Sequence, residues 1–391
     1  MNQLLNHISF KLKLFLIDNY IKIIRMLKVI FMEKIFKNCK VGKLNLKNRF
    51  MRSATAEKLS DENGIPPKKL SKMYTDLSDG GIGLIITGHA YIDRKGKAHS
   101  EMSAIDRDSL IEVWSNIIKP IKEKKTKIIM QINHGGGSCD PKITPKPLSP
   151  SGISLNKKRT SYKMSKKDIN EVVNKFVKAA ERVKKAEFDG VQIHAAHGYL
   201  LNQFMLPFTN QRQDKWGGCL ENRFRIIDII IKKIRKTVGK DFPIWIKLGV
   251  GGKEKFGLSI NEGKIFTKMV FESGIDCVEI SNASSEPDYI KNRKKIKYLP
   301  WAKIIKNYLS NKNDIAVVNG FSSLKDSKKV IDNNFADLVS LCRPLILEPD
   351  LINKFKNNQN YKAKCIRCNQ CWPKKKNMGV KCYNDKVRSK V

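Results

Sequence analysis

The sequence predicts an eight-stranded (β/α)8 TIM barrel, and three observations predict it. Eight short runs rich in Val and Ile recur along the chain, longer amphipathic segments separate them, and each run is nearly continuous in its hydrophobicity. Continuous apolar strands are expected when helices cover one face and neighbouring strands the other. A doubly wound open sheet is the competitor, but it usually has fewer strands and an early glycine-rich dinucleotide turn, which this chain lacks.

In chain order, the strand "NRFMRS" leads to a helix near 68–80, and "IGLIITG" to one near 108–124. "KIIMQIN" precedes a helix near 165–187 and "DGVQIH" one near 221–238. "PIWIKL" and "DCVEIS" precede helices near 260–273 and 300–311. "IAVVNG" is followed by a helix near 322–333, and "DLVSLC" by a last one near 350–357. The strand assignments rest on β-branched runs, the helix assignments on apolar residues three and four apart.

Functional groups of such barrels sit where strands end and the following loops begin. Thr87-Gly88-His89, Gln131 with His134, His194, Lys247, Asn319-Gly320 and Cys342-Arg343 all fall at such ends. His197 and Tyr199 follow His194 within one short loop. A zinc protease helix would place two histidines four apart around a glutamate; here they are three apart around Ala195 and Ala196. As a group, His194, His197 and Tyr199 instead offer two donors to polarise a carbonyl oxygen and a phenol to deliver a proton.

With 391 residues and 41% hydrophobic content the chain can build a large core, which argues against disorder. Lys+Arg number 76 against 37 Asp+Glu, a net charge of +39. The lysines are spread over the whole chain, so they read as a compositional bias rather than a nucleic-acid face; they still favour anionic substrates such as dinucleotides or CoA esters. Five cysteines are scattered singly and four cluster near the end, at 365, 368, 371 and 382, which suits a reducing, cytoplasmic setting better than a secreted disulfide framework. Residues 1–31 are apolar and basic and read as a separate extension: an amphipathic membrane-surface helix, a targeting segment, or an overlong start ahead of Met32. The barrel is expected over 32–357 and a cysteine-rich tail over 358–391.

The stretch "IHAAHGYLLNQFMLPFTNQRQDKWGGCLENRFR" (193–225) resembles the signature region of the old yellow enzyme family, in the branch that includes bacterial ene-reductases and 2,4-dienoyl-CoA reductase. The resemblance extends through "LKNRFMRSATAE", "GGIGLIITGHAYI", "IIMQINHGG", "VNGFSS" and "DLVSLCRPLILEPDL", covering nearly everything from residue 33 to about 355. It implies FMN as cofactor, NAD(P)H as reductant, and an activated alkene, an enone or enoyl thioester, reduced by ping-pong hydride transfer. It implies that the backbone of Ala54, Thr55 and Ala56, with Gly88, Gln131 and Lys247, approaches the flavin ring. Gly320, Cys342 and Arg343 would hold the phosphate, while His194 and His197 polarise the substrate and Tyr199 protonates it. Two departures stand out: Ala56 replaces a Thr or Cys common in relatives, and Cys342 a common glycine.

"CIRCNQCWPKKKNMGVKC" spaces Cys365, Cys368, Cys371 and Cys382 as C-x2-C-x2-C-x10-C, thiolates suited to a [4Fe-4S] cluster or zinc. The dienoyl-CoA reductase pattern is one residue longer in each of the last two gaps. Since the chain ends soon after Cys382, hydride delivery straight from NAD(P)H is expected. The competing readings are a tRNA-dihydrouridine synthase-like FMN barrel and a non-enzymatic nucleic-acid-binding protein with a C-terminal zinc site. The 193–225 signature weighs against the first and the eight βα units against the second. Neither nucleic acid nor membrane is therefore an expected partner, the membrane entering only through residues 1–31; an oligomer is compatible with the sequence.

Overall fold

The computed structural model describes residues 33–155, 159–252, 258–283, 296–373, 375–376 and 378–389. The expectations for residues 1–31 lie outside these. The barrel strands are β1 (Phe50–Arg52), β2 (Leu84–Ile86), β3 (Lys127–Asn133), β4 (Val191–Ala195), β5 (Ile244–Gly251), β6 (Cys277–Asn282), β7 (Ile315–Val318) and β8 (Leu338–Leu341). All neighbours pair in parallel, β8 returns to β1, and β2 pairs with β3, so the sheet closes. The helices that follow them are α1 (Lys69–Asp79), α2 (Leu110–Glu123), α3 (Lys166–Lys185), α4 (Leu220–Val238), α5 (Ile260–Glu272), α6 (Leu299–Tyr308), α7 (Leu324–Asp332) and α8 (Leu351–Asn357). The expected TIM barrel is therefore the observed one.

Local chemistry sets these elements. In α3, Ile169, Val172, Val173, Phe176, Ala179, Ala180 and Val183 form a buried stripe, and Ser165 with Asp168 closes a reciprocal capping box at its start. Ser259 and Glu262 do the same for α5, which follows the lysine-bearing strand. No described helix is long and apolar enough to cross a membrane.

Inside the barrel, the side-chain period of two sorts residues into levels. Met51, Leu84, Ile86, Ile129, Trp245, Cys277, Ala316 and Leu338 form an apolar level. An antiparallel hairpin, Cys39–Val41 with Leu44–Leu46, packs Val41, Leu44 and Leu46 onto it and plugs that end. Two residues further along β4, β5, β6, β8 and the end of β1, the inward positions turn polar: His194, Lys247, Glu279, Ser340 and Ser53. His194 pairs in register with Lys247, and Lys247 with Glu279, so three functional groups stand side by side.

The sequence reading passed over the plug hairpin and two short helices, Leu200–Met205 and Arg343–Leu347. Both helices interrupt βα loops at the mouth. The tail crosses that mouth as well. Ala363 N–H donates to Ser322 O at 2.7 Å, Val380 N–H to Glu57 O at 2.8 Å, and Trp372 stands edge-on to His99 with centroids 6.3 Å apart.

Candidate active site

A buried polar cluster spans the barrel interior. Glu279, wholly inaccessible, accepts hydrogen bonds from Ser53 Oγ and Ser340 Oγ, both at 2.7 Å, from Lys247 Nζ at 3.2 Å and from Gln192 Nε2 at 3.1 Å. Lys247 Nζ also donates to Ser53 Oγ at 2.6 Å, and Gln131 Nε2 to Gln192 Oε1 at 2.7 Å. A lysine cation this deep requires a counter-charge, and Glu279 supplies it.

Above this cluster opens a cavity of about 190 Å³. Ser53, Lys247 and Ser281 line it from within the barrel; Asn319, Gly320, Cys342 and Arg343 line it from the ends of β7 and β8; Arg367 reaches it from the tail. Ala54 and His197 complete the wall relevant here. Gly320 has φ +115°, a backbone that side-chain-bearing residues rarely adopt. Arg343 Nη1 donates to Asn369 Oδ1; Arg367 Nη2 donates to Gly320 O, and to Ser322 Oγ at 3.2 Å. Burial and the neighbouring Arg343 charge push the Arg367 guanidinium below its usual value.

The histidine loop adjoins this cavity. Ala196 N–H points at His194 Nδ1 at 3.3 Å, so that nitrogen accepts and Nε2 carries the proton. His194 Nε2 lies 3.3 Å from His197 Nδ1, and His197 Nε2 lies 2.7 Å from Ser281 Oγ. The network therefore assigns an Nε2–H tautomer to both rings. His197 sits at φ +59° and is pinned by its own N–H to Asn282 O at 2.9 Å. Burial first, then the surrounding His and Lys charges, pushes His194 well below the ordinary histidine range and His197 down to about 3, so both are neutral. Tyr199 lies with its ring 5.0 Å from that of His194, and burial pushes its phenol up to about 12. It keeps its proton at neutral pH.

Of the residues singled out in the sequence, Ala54, Lys247, Asn319, Gly320, Cys342, Arg343 and His197 share the cavity wall, His194 packs edge-on against His197, and Tyr199 packs against His194. Thr55, Ala56, Gly88 and Gln131 are not on that wall. Thr55 Oγ1 lies 3.0 Å from Cys342 Sγ. Gly88 N–H donates to Glu57 Oε1 at 2.6 Å, and a Cβ there would meet Glu57 Oε2 at 1.9 Å; packing alone requires glycine. The four tail cysteines are half-buried free thiols. Among the described residues, no three His, Cys, Asp or Glu side chains are gathered as metal ligands, the four tail cysteines included.

Residues the sequence reading missed are Glu279, Ser53, His99 and Arg367. Glu279 carried a signal, an acid inside an otherwise apolar strand. Ser53 carried one too, as a polar residue at a strand end two beyond Met51; His99 and Arg367 carried none, because loop and tail conformations bring them to the mouth. His89 was noted only as a strand end; its Nε2 is 3.2 Å from His99 Nε2, and its ring 5.2 Å from that of Tyr199.

Comparison with known proteins agrees with the barrel fold. Residues 34–362 match the model of the NADH:flavin oxidoreductase / NADH oxidase family. The chain is 32% identical over 344 residues to an NADH oxidase of Thermoanaerobacter brockii, covering 86% of this chain and 52% of that protein. It is 31% identical over 321 residues to an NADPH dehydrogenase of Clostridium acetobutylicum, covering 81% of this chain and 92% of the relative. It thus spans about half the length of the first and nearly all of the second. Among solved structures, a 2-naphthoyl-CoA reductase in complex with 2-naphthoyl-CoA superposes with TM-score 0.79 at 24% identity, over 85% of this chain and 54% of that one, a likeness of fold. A family match across the whole barrel, with a relative of similar length above 30% identity, makes this chain a member of the NADH:flavin oxidoreductase / NADH oxidase family, the old yellow enzymes.

Proposed function

We propose that the protein is an FMN-dependent NAD(P)H oxidoreductase that reduces the C=C bond of an α,β-unsaturated carbonyl compound or enoyl thioester. The observation that carries it is one cavity walled by Lys247 within the barrel and Arg343 at the mouth, with two neutral histidines and a protonated tyrosine beside it. The solved naphthoyl-CoA reductase, captured with an acyl thioester, supports extending the substrate class to thioesters.

The donor chemistry of the wall fits FMN. Half-buried Arg343 suits a phosphate, with Gly320 leaving backbone room beside it, while buried Lys247 and Ser53 suit the polar edge of a flavin ring. When bound, FMN supplies the hydride carrier between NAD(P)H and the alkene.

The chain's own groups then have separable tasks. Each neutral histidine has one N–H, at Nε2, to offer a substrate oxygen. His197 now directs its N–H toward Ser281 Oγ, and a carbonyl oxygen in the cavity would compete for it. His194 directs its own toward His197. Neutral donors withdraw charge from the carbonyl without committing a full proton, which leaves the β-carbon electron-poor; one such donor contributes on the order of 3 kcal/mol of barrier. Tyr199, protonated and 5.0 Å ring-to-ring from His194, supplies the proton for the α-carbon. Lys247, fixed by Glu279 and Ser53, would offer positive charge to the negative charge that a flavin gathers on reduction.

The test is the visible spectrum of the purified protein. A yellow protein that releases FMN on denaturation, is bleached by NADH or NADPH, and regains colour with an enone or enoyl thioester supports the proposal. A folded, colourless protein that cannot be reconstituted with FMN refutes it.

A further inference from the structure

The cysteine-rich tail has no part in the reaction as derived so far, yet one of its residues reaches the cavity. Arg367 lies between Cys365 and Cys368, lines the same wall as Arg343, and is held by Gly320 O and Ser322 Oγ at the end of β7. Its neighbour two residues on, Asn369, accepts from Arg343. The tail thus contributes one guanidinium to the mouth and orients the other. Both guanidinium groups border one open space, where their positive fields add and favour an anion, although Asp326 lies near enough to Arg367 to offset part of its charge.

The backbone points the same way. Arg367 has φ +58° and Asn369 φ +63°, the left-handed region that costs a side-chain-bearing residue roughly 1–2 kcal/mol. Asparagine tolerates it; arginine gains nothing from it locally, and glycine would sit there without strain. Arg367 thus bears a glycine-favouring backbone while its guanidinium is held at the cavity rim by Gly320 O and Ser322 Oγ, a combination that points to a task for that end.

We propose that Arg367 is a second phosphate-binding arginine, closing with Arg343 on the phosphate of FMN, so that the segment 365–369 of the tail completes the cofactor site. The inference rests on the FMN reading above. A phosphate dianion presents three acceptor oxygens, enough for two guanidinium forks at once, and each charge-assisted contact contributes about 1.5–3 kcal/mol. Losing one corresponds to roughly a 10- to 150-fold loss of affinity.

The experiment titrates the flavin-free, full-length protein with FMN and, separately, with riboflavin, following flavin fluorescence. The wild type is expected to bind FMN far more tightly than riboflavin. Arg367→Gly, which suits the left-handed backbone and so spares the fold, is expected to lose at least tenfold in FMN affinity and nothing in riboflavin affinity. Added guanidinium ion should restore part of the lost FMN affinity, a rescue that a displaced loop would not show. If Arg367→Gly keeps the wild-type ratio of FMN to riboflavin affinity, or loses both affinities alike, the second-arginine proposal is wrong while the FMN reading stands. If the wild type does not distinguish FMN from riboflavin, the phosphate site itself is misassigned and both readings fall.

Discussion

Glu279→Ala is the substitution whose cost the structure defines best. It removes both acceptor oxygens of a fully buried carboxylate and strands four donors: the Lys247 ammonium, the Ser53 and Ser340 hydroxyls and the Gln192 amide. The ammonium dominates. Breaking a buried ion pair by deleting one partner costs about 3–5 kcal/mol, because the remaining charge is uncompensated. The nearby cavity lets water reach Lys247, which moves the expectation to the lower half of that range. Ser53 and Ser340 line the same cavity, so water can follow there; Gln192 does not, and its stranded amide adds about 1 kcal/mol, for a total of roughly 4–5 kcal/mol.

The measurement is urea unfolding of flavin-free wild type, Glu279→Ala, Lys247→Met and the double variant. Flavin must be absent because a ligand bound only to the folded state would add its own stabilisation. Lys247→Met strands the Glu279 charge and should also be destabilising. The double variant removes both charges and should recover about 2 kcal/mol or more relative to the sum of the singles, the coupling expected of groups in contact. If Glu279→Ala lies within about 1 kcal/mol of wild type, or the two changes add, Lys247 does not depend on Glu279 and the electrostatic account of the barrel interior is wrong.

Three other outcomes follow from the same geometry. His194→Ala or His197→Ala should slow alkene reduction by roughly 10²-fold or more, whereas Tyr199→Phe should slow that half-reaction while leaving flavin reduction by NAD(P)H near normal; stopped-flow traces of the two halves check this, and equal slowing of both by Tyr199→Phe contradicts its role as acid. Stability should fall with acid below about pH 6.5. His89 and His134 are pushed down to about 4 and His197 to about 3, chiefly by burial, so between those values and the unfolded pKa the unfolded chain binds more protons than the native one. Each such histidine withdraws a little over 1 kcal/mol per pH unit across that window, and a flat urea midpoint from pH 7 to pH 5 would contradict their neutral burial. Gly88→Ala should be strongly destabilising because its Cβ would lie 1.9 Å from Glu57 Oε2, and a thermal midpoint equal to wild type would mean that Glu57 moves freely.

How much of this was legible in the sequence depended on distance along the chain. The strands were legible because both faces of each are buried: on β5, Ile244, Ile246 and Leu248 face one way and the inward residue of the lower level, Trp245, is apolar too, so the run reads as continuous. Lys247 and the His194–Tyr199 loop were legible as polar residues at or near strand ends. The assignment of Gly88 and Gln131 to a cofactor wall was less direct. Glycine at a strand end has two physical uses, close approach of a ligand or close approach of another side chain, and in this structure Glu57 takes that space. Gln131 spends its amide on Gln192. The plug hairpin was missed because three-residue strands leave too short a pattern, and Arg367 because nothing local says where a tail will lie.

Backbone strain offers a separate route to the same cavity. Ten non-glycine residues among those described have left-handed φ values, and three of them, His197, Asn319 and Arg367, fall among the sixteen residues lining it. Chance placement would put fewer than one there. Each holds a different element at the rim: the loop after β4, the end of β7, and the tail. Asn319 precedes Gly320, whose carbonyl accepts from Arg367, so one strained position is bonded to the chain neighbour of another. The barrel supplies the rigid frame that can bear this strain, and its regular strands carry none of it. At Arg367 the tail shares both the strain and the hydrogen bonds of the rim.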